Sequence, residues 1–356
     1  MLGSDSVELV RYDPIDRIGC VDLRLFPVLH LQFDQPFNDD SRSRNRLQDC
    51  QKSDRSDRVM RAISTIIATI VLIFAASAQR SPIVMFYNVE SLYDTIPSLF
   101  YNDSDYTPDG ALHWNTTRYQ KKLYSLASVI DSVAAEIVAL AEVENEGVVR
   151  DLVMMLGTDY NYIHRTTNDS RGMDLALLYK GDKFFPNRVR MVESSYRREF
   201  LYIQGKLCGE RVDLIICHLP SQIGHKENRL RAQRYLASFV DSLHRVDTAA
   251  RIIIAGDFND TPSQISKRKT MPTWCRPILL DAERRGEGTI IYDGRWLMYD
   301  SFWIDPQVFP MAHAQVYIRH DLISTNGGAH PIRTFTSRAY TAGASDHLPI
   351  ILHLHK

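Results

Sequence analysis

The chain has 356 residues, of which 44% are apolar and 24% charged. That is the balance of a globular protein rather than a disordered one, and the length holds one large domain or two ordinary ones. A net charge of -1 excludes a global positive field able to hold a polyanion.

Residues 1–59 are polar and keep no sustained period of 2 or 3.6. Stretches such as Ser41-Arg42-Ser43-Arg44-Asn45-Arg46 have no means of burying a core. Met60-Arg61 then leads into an uncharged apolar run over 62–76, which closes on Ala76-Ser77-Ala78-Gln79. One positive charge, a short apolar stretch and a small-x-small site predict a secretory signal peptide over 60–78. The run is shorter than the ~20 residues needed to span a bilayer, so a membrane anchor at 62–76 is the second reading. A signal peptide belongs at an N-terminus. Met60 is therefore expected to be the true start, residues 1–59 an upstream extension, and residues 79–356 one domain. A disordered tail ahead of an anchor is the alternative.

Beyond Gln79, Ile83-Val84-Met85-Phe86 reads as a strand running into Asn88-Val89-Glu90. Residues 101–117 form a polar loop. Tyr119, Leu123, Leu126, Ala127, Ile130 and Val133 recur at helical spacing, with Lys121, Lys122 and Asp131 between them. Ile137 to Leu140 is an apolar strand ending at Ala141-Glu142-Val143-Glu144-Asn145, and Val148 to Leu156 reads as a short helix. Strands are expected at 160–165, 174–179, 190–192, 200–207 and 212–217, the last reaching His218-Leu219-Pro220-Ser221. A second amphipathic helix carries Ala232, Tyr235, Leu236, Phe239, Val240 and Leu243. Arg251 to Ala255 is a buried strand ending at Gly256-Asp257-Phe258-Asn259-Asp260. Short strands follow at 297–302, 320–323 and 332–335, then Ser345-Asp346-His347, then Leu348 to Leu354. Buried strands that end in polar loops, with helices between, predict a layered α/β domain. Cys208, Cys217 and Cys275 are odd in number and poorly spaced, so no disulfide framework is expected.

Five polar patches thus follow apolar runs. Carboxylates at strand ends face the rim of a sheet, and hard oxygen donors suit Mg²⁺ or Mn²⁺. Asp257 and Asn259, two apart, share a side if the chain stays extended; one can take a proton from water while the other holds water or a phosphate oxygen. A turn rich in Asp and Asn is the bland reading. A histidine at a strand end can protonate a leaving oxygen, and a cationic His347 can hold a phosphate oxygen. Each patch alone is ordinary. The ordered set has the composition of a metal-assisted phosphoester-cleaving site.

In that set the chain resembles the endonuclease/exonuclease/phosphatase family. These are metal-dependent phosphoesterases that include pancreatic deoxyribonuclease, abasic-site endonucleases, neutral sphingomyelinases and inositol polyphosphate 5-phosphatases. Asn88-Val89-Glu90, Glu142, His218-Leu219-Pro220, Gly256-Asp257-Phe258-Asn259 and Ser345-Asp346-His347 match its motifs in order, across about Ile83 to His353. The resemblance implies a four-layered α/β sandwich with two central mixed sheets covered by helices. It implies Mg²⁺, with Mn²⁺ as the substitute, held by Glu142 with Asn88, Glu90 and Asp346. Asp257 would activate water, Asn259 would position it, and His347, oriented by Asp346 or another acid, would stabilise the pentavalent phosphate. His218 would assist the leaving oxygen. Two positions depart from the pattern: Ala141 stands where the family often has Gln, and Ser221 where abasic-site enzymes carry Asn. The second counts against a DNA-repair role.

The expected function is a secreted or periplasmic Mg²⁺-dependent endonuclease or phosphodiesterase, working as a monomer on a phosphoester that includes nucleic acid among its candidates, with no obligate protein partner. A phosphatase or phospholipid-headgroup esterase is the alternative. The intact motifs argue against a catalytically dead binding domain. A nuclease gains affinity from Lys and Arg contacts to phosphates. Arg118, Lys121, Lys122, Arg171, Lys226, Arg229 and Arg231 are the candidates for such a patch, against the reading that they are solvated helix faces.

Overall fold

The computed structural model describes residues 81–194, 198–326 and 328–355, all within the unit Gln79–Lys356. The extension expected over 1–59 and the signal peptide or anchor expected over 60–78 lie outside the described residues. Among those that are described, no helix is long and apolar enough to cross a membrane.

The elements run β1 (Ile83–Leu92), α1 (Thr116–Val133), β2 (Ile137–Val143), α2 (Glu146–Met155), β3 (Asn161–Arg165), β4 (Asp174–Tyr179), β5 (Phe184–Val192), β6 (Phe200–Leu207), β7 (Glu210–His218), α3 (Lys226–Val246) and β8 (Ile252–Asp257). They continue with α4 (Pro262–Arg268), β9 (Arg276–Pro277), α5 (Leu280–Arg284), β10 (Ile290–Tyr292), β11 (Arg295–Leu297), β12 (Asp300–Ile304), β13 (His313–Val316), β14 (Ile323–Ser324), β15 (His330–Pro331), β16 (Phe335–Thr336), β17 (Ala339–Tyr340) and β18 (Ile350–His353). Two six-stranded sheets dominate, ordered β13-β18-β1-β2-β4-β3 and β5-β6-β7-β8-β12-β9. Each holds one parallel pair, β1 with β2 and β7 with β8; all its other pairs are antiparallel. Parallel neighbours need a long crossover, and α1 and α3 supply it.

Side-chain alternation builds the layers. Val212, Leu214 and Ile216 of β7 and Ile253 and Ala255 of β8 share one core with β1, β2, β4 and α1. Ile215, Cys217, Ile252 and Ile254 point the other way, into a second core with Ala232, Leu236 and Val240 of α3. A strand's period of 2 thus gives the second sheet two buried faces, and the result is the four-layered α/β sandwich. Each fully buried Leu or Ile contributes about 1.5–3 kcal/mol. The side chain of Asn115 caps α1 by accepting from the N–H of Arg118, and Thr261 caps α4 with Pro262 in its first turn.

Three expectations for the last quarter need correction. The strand expected at 297–302 is two strands, β11 and β12, broken at Met298-Tyr299. Residues 320–322 form a 3₁₀ turn, not a strand; Arg319 forks onto Asp321 and reaches the carbonyl of Ser128, which closes the chain on itself. Of 332–335 only Phe335 is in a strand.

Candidate active site

The parallel pairs matter because their C-terminal ends carry the polar patches, at the rim where parallel strands commonly bind ligands. Asn88 is paired with Ala141, and His218 with Asp257. Between Asn88 and Leu92 the β1–β2 register slips, and so does the β2–β4 register between Ala141 and Val143. Glu142 is the extra residue, with no partner in either ladder. It adopts φ 65°, and Glu90 and Ser91 opposite it both adopt φ 50°. Such left-handed residues cost about 1–3 kcal/mol each and gather at functional sites. The bulge turns a carboxylate out of a strand that is otherwise buried.

The acidic groups then converge. The amide nitrogen of Asn88 donates to Glu142 Oε1 at 3.2 Å and to Asp257 Oδ2 at 3.1 Å, linking the two sheets. Its oxygen is taken by the N–H of Glu90 at 3.0 Å. Asn88 therefore joins two carboxylates rather than presenting an oxygen between them. Glu142 Oε2 accepts from the N–H of Ser91 at 2.9 Å. Asp257 Oδ1 accepts from the N–H of Asn259 at 2.7 Å, and the Asn259 amide donates to the carbonyl of Leu219 at 2.9 Å, so it ties the β8 loop to the β7 loop. Gly256 serves this packing: a Cβ there would sit 2.2 Å from the carbonyl oxygen of its partner Cys217.

Asp300 is a residue that sequence reasoning missed. It opens β12, directly opposite Asp257 in the antiparallel register. Its Oδ2 lies 2.7 Å from Nδ1 of His347. Asp346 stands 4.0 Å from Nε2 of that histidine and binds Arg333 at 2.6 Å. The acid that orients His347 is therefore Asp300 and not Asp346. Burial opposes charge on His347, but Asp300, Asp257 and Asp346 outweigh it and raise its pKa well above the usual histidine value.

His218 is set the opposite way. Its Nδ1 lies 3.3 Å from a guanidinium nitrogen of Arg198, which can only donate. The ring proton is therefore on Nε2, which faces Glu142 Oε1 at 3.4 Å and Asp257 Oδ2 at 3.8 Å. Burial and Arg198 push its pKa down to about 3, so His218 is a neutral donor. Arg198 in turn pairs with Asp169 at 2.6 Å. Burial would raise Glu142, yet His218, Arg171, His347 and the Asn88 amide hold it at about 2. Burial and Asp300 raise Asp257 to about 7, with His347 opposing.

Glu90 and Asp346 sit on a second flank. Glu90 accepts from the N–H of Thr334 at 2.6 Å, and Arg333 reaches both carboxylates. Beneath them Lys122 is buried. It donates to the carbonyl of Glu90 and to Thr334 Oγ1. The helical pattern had placed Lys122 among the basic candidates for a phosphate-binding patch, but it is a buried prop. Arg229, from the same list, is buried too, against Asp260 at 3.6 Å and the carbonyl of Ser221 at 3.1 Å. Arg118 lies over the ring of Tyr340, 4.5 Å from its centroid.

The donor set fits a hard divalent cation. Glu142, Asp257 and Asp300 offer oxygens on one flank and Glu90 and Asp346 on the other, and the buried Oδ1 of Asp300 has no hydrogen-bond partner. Burial first, then Asp300 beside Asp257 and Asp346 beside Glu90, raise both carboxyls to about 7, and Lys122 opposes the rise at Glu90. Asp257, Asp300 and His347 also place ligand atoms within 4.8 Å of one another, but the 2.7 Å contact between Asp300 and His347 is a hydrogen bond, so that trio holds a proton.

Comparison with known proteins agrees with this geometry. No curated protein sequence matches. Among solved structures, TDP2 from Caenorhabditis elegans superposes with a TM-score of 0.55 at 16% identity, over 78% of this chain and 98% of its own. The mannosyl-6-phosphatase of Bacteroides thetaiotaomicron gives 0.53 at 17%, over 78% and 100%. The human nocturnin catalytic domain gives 0.51 at 14%, over 77% and 95%. At such identities these likenesses show the fold. Residues 83–356 match the model of the endonuclease/exonuclease/phosphatase family, and the chain belongs to that family, whose members are metal-dependent phosphoesterases.

Proposed function

We propose that the chain cleaves a phosphoester by attack of water, with Mg²⁺ or Mn²⁺ as cofactor. The observation that carries this reading is the meeting of Asp257, the His347–Asp300 pair, Glu142 and His218 at one rim. Glu142, Glu90 and Asp346 would hold the ion. When bound, the ion supplies positive charge at the phosphate and lowers the pKa of water.

The remaining roles fall to the chain's own groups. Asp257 Oδ2 lies 3.8 Å from Nε2 of His218 and 3.9 Å from Nε2 of His347. A water or phosphate oxygen would stand where these three groups meet, and Asp257 takes the water's proton. Asn259 fixes the base by its backbone N–H and the neighbouring loop by its amide. His347, its Nδ1–H held by Asp300, points Nε2–H at the phosphate as a charged donor, the arrangement that stabilises charge where it develops. His218, neutral and protonated on Nε2, donates a hydrogen bond to a phosphate or leaving oxygen without giving up a proton.

For the substrate, the burial of Lys122 and Arg229 removes two cations from the track a long nucleic acid needs. This favours a small phosphoester, as in the phosphatase reading, over a duplex. Export directed by residues 60–78 belongs to the same proposal. Purified protein should hydrolyse at least one of plasmid DNA, RNA, sphingomyelin, a generic phosphodiester or a sugar phosphate with Mg²⁺ or Mn²⁺, and Asp257→Ala should not. Failure on all five substrates sinks the proposal. N-terminal sequencing of native protein should begin near Gln79; a peptide from residues 1–59 would overturn the upstream-extension reading.

A further inference from the structure

Away from the catalytic residues, three histidines meet beside the last strand. His353 of β18 stands opposite His313 of β13 in the antiparallel register, and directly opposed residues share a face of the sheet. His355 follows two residues later. The rings of His313 and His353 stack at 4.6 Å with a 7° interplanar angle, and those of His313 and His355 lie 4.9 Å apart at 13°. Nδ1 of His313 is 3.1 Å from Nε2 of His355. Two imidazole nitrogens bound at ~2.0–2.1 Å to one divalent ion are separated by about 3.0–3.4 Å, so the two nitrogens already stand at that separation, and small ring rotations would aim both lone pairs at one ion. The other ring nitrogen of His355 lies 2.6 Å from Ser81 Oγ. Ligating histidines characteristically use such an outer hydrogen bond to fix tautomer and ring orientation. When Nδ1 donates to Ser81, the lone pair of Nε2 faces His313.

We propose that His313, His353 and His355 form a binding site for a borderline divalent transition metal, Zn²⁺, Ni²⁺ or Cu²⁺, distinct from the oxygen-lined active site. His313 and His355 are the primary pair, and His353 joins by turning its ring. Imidazole is the donor these ions prefer, whereas carboxylates select Mg²⁺ and Mn²⁺. The ion replaces the single proton now shared between the two facing nitrogens. It clips together the segment at Ser81, the edge strand β13 and the residues after β18. Burial and the two neighbouring imidazoles lower the pKa of His353, which keeps its lone pair free for a metal.

The test uses the full chain, stripped with chelator and held in saturating Mg²⁺ so that the oxygen site is filled. Calorimetric titration with Ni²⁺ should show one ion per chain at micromolar Kd. His313→Ala and His355→Ala should each weaken it at least tenfold while leaving Mg²⁺-dependent hydrolysis unchanged. Electron paramagnetic resonance of the Cu²⁺-loaded protein should show nitrogen hyperfine structure that His313→Ala diminishes. Should the alanine variants fail to fold, His355→Gln reads the same loss. Absence of Ni²⁺ binding, equal affinity in wild type and variants, or a Cu²⁺ spectrum with oxygen donors only would overturn the proposal.

Discussion

The two histidines of the active site are the same residue tuned to opposite ends. His218 rests on Arg198 and is neutral, while His347 rests on Asp300 and is cationic. Both are buried and both face Asp257 at nearly equal distance, 3.8 and 3.9 Å. Burial therefore does not separate them; the group on the far nitrogen does. A carboxylate there accepts a proton's hydrogen bond and stabilises the cation. A guanidinium can only donate, so it forces the proton to the other nitrogen and repels a second one. The pair gives the site one charged donor and one neutral donor.

The comparison breaks most visibly at His347. His347→Ala should lower kcat on the order of 10³-fold, since it removes the charged donor, whereas His218→Ala should cost about 10-fold to 10²-fold. Steady-state hydrolysis with Mg²⁺ reads both, and equal losses would end the distinction between them. Next comes Asp300→Asn, expected to lower kcat on the order of 10²-fold, because the amide orients the ring but no longer stabilises its charge. Arg198→Met should be milder, about 10-fold in kcat/KM, since loss of its donor frees the tautomer of a ring that needs no charge; a larger loss than for Asp300→Asn would reverse the ranking. The smallest effect concerns Ser345. Its hydroxyl donates to the carbonyl of Asn88 at 2.7 Å and accepts from the N–H of His347 at 3.0 Å, so it holds the His347 loop to β1. Ser345→Ala should cost about 1 kcal/mol of stability, read by urea unfolding, with kcat reduced less than in any histidine variant.

Much of the frame is legible in the sequence. Asp174 to Tyr179 was expected as a strand and is one, and the buried runs at 137–140 and 251–255 lead where the sequence pointed. An uninterrupted apolar run has few ways to be satisfied other than as a buried strand. Asp300 was invisible for a different reason. It lies far from His347 in the chain, and only the pairing of β12 with β8 brings it beside Asp257. No local pattern reports an antiparallel register set by two long connections. Lys122 misled because helical spacing says which face a residue occupies, not what covers that face. The loop around Thr334 folds over it and turns a polar position into a buried one. Arg198 was equally hidden, since its value lies wholly in what stands across from it.

The bulge at Glu142 has a consequence for how the protein must fold. Because that residue is skipped by the ladders on both sides, β1 and β4 together mark a fixed count along β2. A slip of one residue would put Ala141 where the carboxylate belongs and exchange Ile137 and Ala139 for Val138 and Leu140 between the two buried faces of β2. A misaligned site is thus also a misfolded sheet. Assembly of the site and the fit of large and small side chains around β2 are therefore settled by the same register.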